Sequence, residues 1–318
     1  MYAKGWETVE DNSVNTGPRP AVLSDIDGSL VTAHASGKSR YGWEPVVRAY
    51  RKFAQAGIRL HLVTLNGAPF VAGICNGMDH NAAEDMLGNV HVAEGNVALI
   101  VRDGPRAEWC EIPIGSPSIG CEVDRVLVRR LLTTDFPELR VRSVGMSMMI
   151  SYLVNPDNRK RLIGKIQKAI DGNNEIRTMW KVGEGGHERI IDIVPEFAAD
   201  KGRGITELLA HAQRVGQPIN TPRSAWFGDS GADIKALHEL TSAKRLREGT
   251  AIGFVATHAG ATAEYIEAVR NSPVKSFVSK KTVAEAAVRD MLNEYDRVIG
   301  LGINNEHSDH NDAGLGGV

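Results

Sequence analysis

The chain has 318 residues, of which 42% are hydrophobic and 24% charged, an ordinary globular make-up and enough length for two domains. Lys+Arg total 37 against Asp+Glu 39, and the resulting net charge of −2 offers no electrostatic footprint for nucleic acid or an anionic membrane. The three cysteines (Cys75, Cys110 and Cys121) form no Cys-x-x-Cys pair, which argues against a zinc centre or a disulfide framework and fits a reducing cytoplasm.

Residues 1–19 are polar, without the apolar stretch of a signal peptide, and are expected to be a loose tail. Nowhere does the chain approach the roughly 18 consecutive apolar residues of a membrane span. Ala21-Val22-Leu23, bounded by Pro20, reads as a short buried strand that runs into Asp25-Ile26-Asp27-Gly28-Ser29. Alternation along a strand points Asp25 and Asp27 the same way. Two like charges that close repel, so one keeps its proton unless a cation sits between them.

Residues 45–57 place Val46, Tyr50, Phe53 and Ala54 at helical spacing, with Gly57 as a stop. Residues 58–63 alternate as a strand, ending at Thr64 and the turn Asn66-Gly67. A third strand is predicted over 90–93, followed by Glu94-Gly95-Asn96, where Glu94 and Asn96 either face a substrate or form a plain turn. Strand–helix–strand order implies a parallel sheet with right-handed crossovers.

Between residues 102 and 195 the pattern changes. Residues 139–154 look β-like and Met-rich, 161–170 helical, and 175–182 and 188–194 form a strand pair joined by Gly183-Glu184-Gly185-Gly186-His187. This segment is expected to be a separate α+β domain inserted into a core formed by 20–101 and 196–300. Glu184 and His187 are polar groups on its turn, which is either a flexible hairpin or a place of contact with a substrate. Trp180, Met146, Met148 and Met149 read as its packing.

The first rhythm then resumes. A helix is predicted over 204–212, a strand at Ala225-Trp226-Phe227, a helix over 234–240, a strand over 252–256 and a helix over 263–270. A last helix carries Val288, Met291, Leu292, Tyr295 and Ile299 on one face. Residues 301–318, rich in Gly, Asn, Asp and His, are expected to be a disordered tail. Gly37-Lys38-Ser39 imitates a nucleotide-binding P-loop, but Thr32 stands where that loop needs its first Gly.

Lys201 precedes a helix, and Asp229 and Asp233 sit four apart in Phe227-Gly228-Asp229-Ser230-Gly231-Ala232-Asp233. Alone, each has a bland reading: Thr64 as a strand terminator, Lys201 as a surface lysine, the two acids as dipole partners of a helix start. As a set they say more, because loops at the carboxyl ends of parallel strands meet in one crevice. There Asp25, Asp27 and Asp229 make a hard-oxygen cluster suited to Mg²⁺, while Lys201 and Thr64 supply a cation and a hydroxyl for phosphoryl oxygens.

In this order, Asp25-x-Asp27-Gly-Ser, Thr64, Lys201 and Gly-Asp229-Ser-Gly-Ala-Asp233 resemble the four motifs of the haloacid dehalogenase superfamily. The insertion resembles the sheet-bearing cap of its sugar-phosphatase branch, as in sucrose-phosphate phosphatases and their relatives. Two positions depart from that pattern: Ala232 replaces the usual Asn, and Thr64-Leu65-Asn66-Gly67 replaces Thr-Gly-Arg.

The resemblance implies an α/β fold, a Rossmann-like parallel core with an α+β cap. It also implies a cytoplasmic Mg²⁺-dependent sugar-phosphate phosphatase acting on a disaccharide or amino-sugar phosphate. Asp25 would be the nucleophile and Asp27 the general acid and base. Asp25, the Asp27 carbonyl and Asp229, with Asp233 nearby, would hold Mg²⁺, while Thr64, Asn66, Gly67 and Lys201 would hold phosphate. Two other activities remain open: a sugar phosphomutase of the phosphomannomutase kind, and a catalytically silent sugar-phosphate-binding protein, for which Ala232 is the one support.

Overall fold

A computed structural model describes residues 17–32, 43–64, 91–94, 98–102, 109–113, 119–143, 150–184, 189–196 and 201–303. The apolar run after Pro20 forms strand β1 (Ala21–Ser24), buried along its whole length at the centre of a sheet. Helix α1 (Trp43–Gln55) follows, then β2 (Arg59–Thr64) and β3 (His91–Glu94). Late in the chain come α4 (Lys201–Arg214), β10 (Ala225–Phe227), α5 (Gly231–Leu240), α6 (Ala243–Glu248) and β11 (Phe254–His258). The last elements are α7 (Ala263–Arg270), β12 (Lys275–Ser279) and α8 (Ala284–Ile299).

The sheet has eight strands in the order β12-β11-β10-β1-β2-β3-β4-β5, with β4 at Ala98–Arg102 and β5 at Trp109–Pro113. It is parallel from β12 to β3 and antiparallel at β4 and β5. Because successive side chains alternate, Val22 and Leu23 enter different cores. Val22 joins Leu60, Leu62, Phe254 and the buried stripes of α1 and α8. Leu23 joins Val63, Trp226, Val255 and residues of α4, α5 and α7. Helices cover both faces, as a buried parallel sheet requires.

A second, antiparallel sheet has the order β6-β7-β9-β8, from β6 (Arg140–Ser143), β7 (Ile150–Leu153), β8 (Trp180–Glu184) and β9 (Ile190–Pro195). Leu132 of α2 (Ile119–Asp135) and Leu162 and Ile166 of α3 (Arg159–Asp171) pack with Ile150, Tyr152, Trp180, Ile191 and Ile193. Trp180 is thus a core residue of this unit, as expected; Met146, Met148 and Met149 lie outside the described residues.

Three boundaries differ from the sequence reading. The first sheet continues past residue 102, since β5 pairs along β4 from Ala98↔Pro113 to Arg102↔Trp109. Arg19 belongs to the fold rather than to a tail: its N–H donates to the Pro218 carbonyl and its carbonyl accepts from Asn220. At the other end Ile303 donates to Asp296 Oδ1 at 3.1 Å, so the ordered chain passes residue 300. Residues 1–16 and 304–318 lie outside the described residues. Among the described residues no helix is long and apolar enough to cross a membrane.

The α8 stripe of Ala287, Val288, Met291, Leu292 and Tyr295 is buried against the sheet. Leu292→Ala should cost about 2–5 kcal/mol, the range for a buried leucine truncation, read from the urea midpoint at unchanged m-value.

Candidate active site

Five parallel strands end at one edge of the sheet, and each end brings a polar residue. β1 gives way to Asp25, β2 ends at Thr64, β3 at Glu94, β10 leads to Gly228-Asp229, and β11 ends at His258. Thr64 pairs with Glu94 in register, and the Asp25 N–H donates to the Phe227 carbonyl at 3.0 Å.

β1 stops at Ser24, so Asp25 and Asp27 lie on a turn and not on one strand face. The turn is closed by Leu30 and Val31 N–H groups donating to the Ile26 carbonyl and by Gly28 N–H donating to Val31. Gly28 has φ +81°, and a Cβ there would lie 2.1 Å from Asp229 Oδ2, so both conformation and space demand glycine. Ser29 Oγ donates to Asp229 Oδ1 at 3.2 Å across the same contact. Asp25 is buried and Asp27 half-buried.

Lys201, the first residue of α4, is buried at 4% exposure. Its Nζ lies 2.9 Å from Asp25 Oδ1 and 2.6 Å from Asp233 Oδ1. Asp233 Oδ2 accepts from the N–H groups of Asp229 (3.0 Å) and Ser230 (3.1 Å) and from Ser230 Oγ (3.2 Å). Asp233 lies in the first turn of α5, where it closes a capping box with Ser230, and it also anchors Lys201. Three hydrogen bonds occupy its Oδ2, so the carboxylates with the most open coordination are those of Asp25 and Asp229.

Carboxylate oxygens of Asp25, Asp229 and Asp233 lie within 4.8 Å of one another. Burial raises the Asp25 pKa well above the usual carboxylate range, Lys201 opposes this, and Asp233 and Asp229 add to it. Burial, then the Asp233 charge, pushes Asp229 up to about 7 against the opposing pull of Lys201 and Ser29. Burial would lower Lys201, but Asp233 and Asp25 outweigh it and hold the ammonium charged. Three acids around one ammonium leave an excess of negative charge, which is the chemistry of a divalent-cation site with oxygen ligands.

The structure therefore brings together Asp25, Lys201, Asp229 and Asp233, with Asp27 two residues along the same turn. Thr64 is buried at the same sheet edge. Glu94 ends β3 at that edge, and Glu184 ends β8 of the second sheet. Asn66, Gly67, Asn96 and His187 lie outside the described residues. Sequence reasoning missed three contributors: Ser29, Thr257 and His258. The Gly28-Ser29 turn was visible, but nothing in its spacing pointed to Asp229.

No protein-family model and no curated protein matches the sequence. Solved structures do match its fold. A Thermoplasma acidophilum protein aligns at TM-score 0.56 and 12% identity, over 88% of this chain and 99% of that one. A haloacid dehalogenase-like hydrolase from Bacteroides thetaiotaomicron aligns at 0.55 and 12%, over 86% and 99%. This chain has the haloacid dehalogenase-like fold. The C-terminal domain of the trehalose-6-phosphate phosphatase of C. albicans also shares it, at TM-score 0.56 and 14% identity over 89% and 93% of the two chains.

The raised carboxyl of Asp229 fixes a pH dependence. A group whose folded-state pKa is about 7, against about 3.9 unfolded, holds its proton more tightly in the folded chain. Its contribution to stability is complete below roughly pH 4 and is lost as pH rises through 7. In chelator, the wild-type thermal midpoint should fall relative to that of Asp229→Asn between about pH 5 and pH 8. A difference that stays flat or widens in the wild type's favour would contradict this electrostatic account.

Proposed function

We propose that this protein is an Mg²⁺-dependent phosphatase that hydrolyses a small sugar phosphate through an aspartyl-phosphate on Asp25. The observation that carries the reading is the Lys201 ammonium shared by Asp25 and Asp233, with the Asp229 carboxylate beside them. Mg²⁺ prefers carboxylate oxygens, water and substrate phosphate, and the donor set fits it: oxygen ligands only, with negative charge in excess. Asp25 and Asp229 would hold the ion, with the Asp27 carbonyl as a third donor and Asp233 as their support. When bound it would neutralise phosphoryl charge and favour the ionised form of Asp25.

The chain's own residues do the rest. Lys201 holds Asp25 Oδ1, which leaves Oδ2 to attack phosphorus. As the new O–P bond forms, the bond from phosphorus to the sugar oxygen breaks, and Asp27 gives that oxygen its proton. Asp27 then takes a proton from water, whose oxygen attacks phosphorus and breaks the bond to Asp25. Inorganic phosphate leaves, and both acids return to their starting states. Lys201 and Thr64, with Asn66 and Gly67, would steady the phosphoryl oxygens.

Two features favour a sugar phosphate over other monoesters. One is the second α+β unit, whose four-stranded sheet supplies a surface for choosing a leaving group; Glu184 and His187, with Glu94 and Asn96, are the proposed contacts. The other is the fold shared with the trehalose-6-phosphate phosphatase of C. albicans. A cytoplasmic enzyme meeting a soluble metabolite is the setting this reading requires.

The test is release of inorganic phosphate from a panel of phosphorylated mono- and disaccharides, with Mg²⁺ and with chelator. Mg²⁺-dependent release is expected, and Asp25→Asn should lower kcat by at least about 10³-fold without lowering the thermal midpoint. Isomerised substrate without phosphate release would establish a mutase instead. Binding without turnover would establish a silent binding protein, and wild-type turnover by Asp25→Asn would remove Asp25 as nucleophile.

A further inference from the structure

The end of β11 and the loop after it touch both acid-bearing turns. Thr257 Oγ1 donates to the Gly228 carbonyl at 2.8 Å, and Thr262 N–H donates to the Asp229 carbonyl at 2.8 Å. Between these two contacts, His258 reaches the other turn. Its Nε2 lies 2.5 Å from the Gly28 carbonyl oxygen, and Gly260 N–H donates to its Nδ1 at 3.1 Å.

These two contacts fix the ring's state. A backbone N–H only donates, so Nδ1 is the acceptor and carries no proton. The ring proton is therefore on Nε2, where the Gly28 carbonyl accepts it. Both nitrogens are committed to backbone groups, and the side chain is only 3% exposed. His258 has no free nitrogen to offer a substrate as acid or base.

Its support is firm. Ala259 N–H is bound by the Ser279 and Lys281 carbonyls, and Gly260 packs so closely that a Cβ there would lie 2.0 Å from the Thr282 carbonyl. Gly28 itself, by contrast, has no side chain with which to be held, although beside it Ser29 Oγ ties the turn to Asp229 at 3.2 Å and Asp25 ties it to Lys201 at 2.9 Å. Gly28 must be glycine because of Asp229, so its position is set through its backbone. The N–H goes to Val31 within the turn, while the carbonyl goes to His258, 230 residues away.

We propose that His258 is a positioning residue: by holding the Gly28 carbonyl, it sets the Asp25–Asp27 turn at the separation from Asp229 that the reaction requires. The inference rests on the phosphatase reading above and deepens it, because it names what aligns the attacking and protonating groups. Misplacement by about 1 Å costs on the order of 10²-fold in rate, so the effect falls on turnover and not on substrate affinity. Thr257 and Thr262 hold the opposite turn, so both halves of the site are referred to one rigid segment.

The test compares the full-length wild type with His258→Phe, which keeps a ring but neither hydrogen bond, and His258→Gln, which returns an amide N–H near Nε2. His258→Phe should lower kcat about 10²-fold with KM changed less than about threefold, and His258→Gln should recover most of the loss. Nitrogen–proton correlation spectra of the wild type should place the His258 ring proton on Nε2. Wild-type phosphate release tests the phosphatase reading alone; the variant-to-wild-type ratio and the tautomer test His258. The proposal is overturned by a ring proton on Nδ1 or by His258→Phe with wild-type kcat. It is also overturned if both variants lose activity only in step with a fall in thermal midpoint. Should His258→Phe not fold, the kcat of His258→Gln and the wild-type tautomer decide.

Discussion

A buried ammonium between two carboxylates is the contact on which this site depends. Lys201 starts α4, Asp25 follows β1, and Asp233 belongs to the first turn of α5, so one side chain ties together three separate elements. Such a pair contributes little net stability over an apolar substitute, since both charges must leave water. Removing Lys201 would be costly, because two carboxylates would be left buried without their cation, whereas loss of the Asp25 charge still leaves the ammonium on Asp233. The arrangement is better understood as alignment than as stabilisation: it fixes Asp25 Oδ1 and leaves Oδ2 unengaged by hydrogen bonds among the described residues.

The same cluster is electrostatically unfinished. Lys201 does not neutralise three acids, and the carboxyls of Asp25 and Asp229 are pushed up as a result of burial and mutual repulsion. The fold accepts this strain in charge and places beside it, at Gly28, a left-handed turn that only glycine takes without strain, so that its backbone can lie against Asp229. Departures of this kind from local comfort concentrate at functional sites. They persist because the sheet is packed on both faces and the loops at its carboxyl edge are bound to one another.

Much of the candidate site was legible in the sequence because its chemistry is written in short spacings. Asp25-x-Asp27-Gly, an isolated Lys201 at a helix start and Gly-Asp229-x-x-x-Asp233 each carry type and order, and strand-to-loop placement made their convergence an expectation. Strand β10 and helix α7 fall where the pattern put them, because apolar runs and helical spacing there are unbroken. Asp233 was read as either a dipole partner of a helix start or a member of the site; it sits in the first turn of α5 and also holds Lys201. His258 was invisible, since no spacing links it to Gly28 across 230 residues. Strands β4 and β5 were missed too, and the edge strand β12 for a different reason. Lys275–Ser279 is mostly polar and half-exposed, so it lacks the apolar run that betrays a central strand. Sequence comparison stops at the same barrier: fold neighbours share only 12–14% identity with this chain.

The most direct measurement is an anomalous-scattering experiment on crystals grown with Mn²⁺ as a stand-in for Mg²⁺. The account predicts one strong peak within about 2.3 Å of carboxylate oxygens of Asp25 and Asp229, with Lys201 still bridging Asp25 and Asp233. No peak at that cluster under saturating Mn²⁺, or a Lys201 side chain swung away from Asp25, would contradict it.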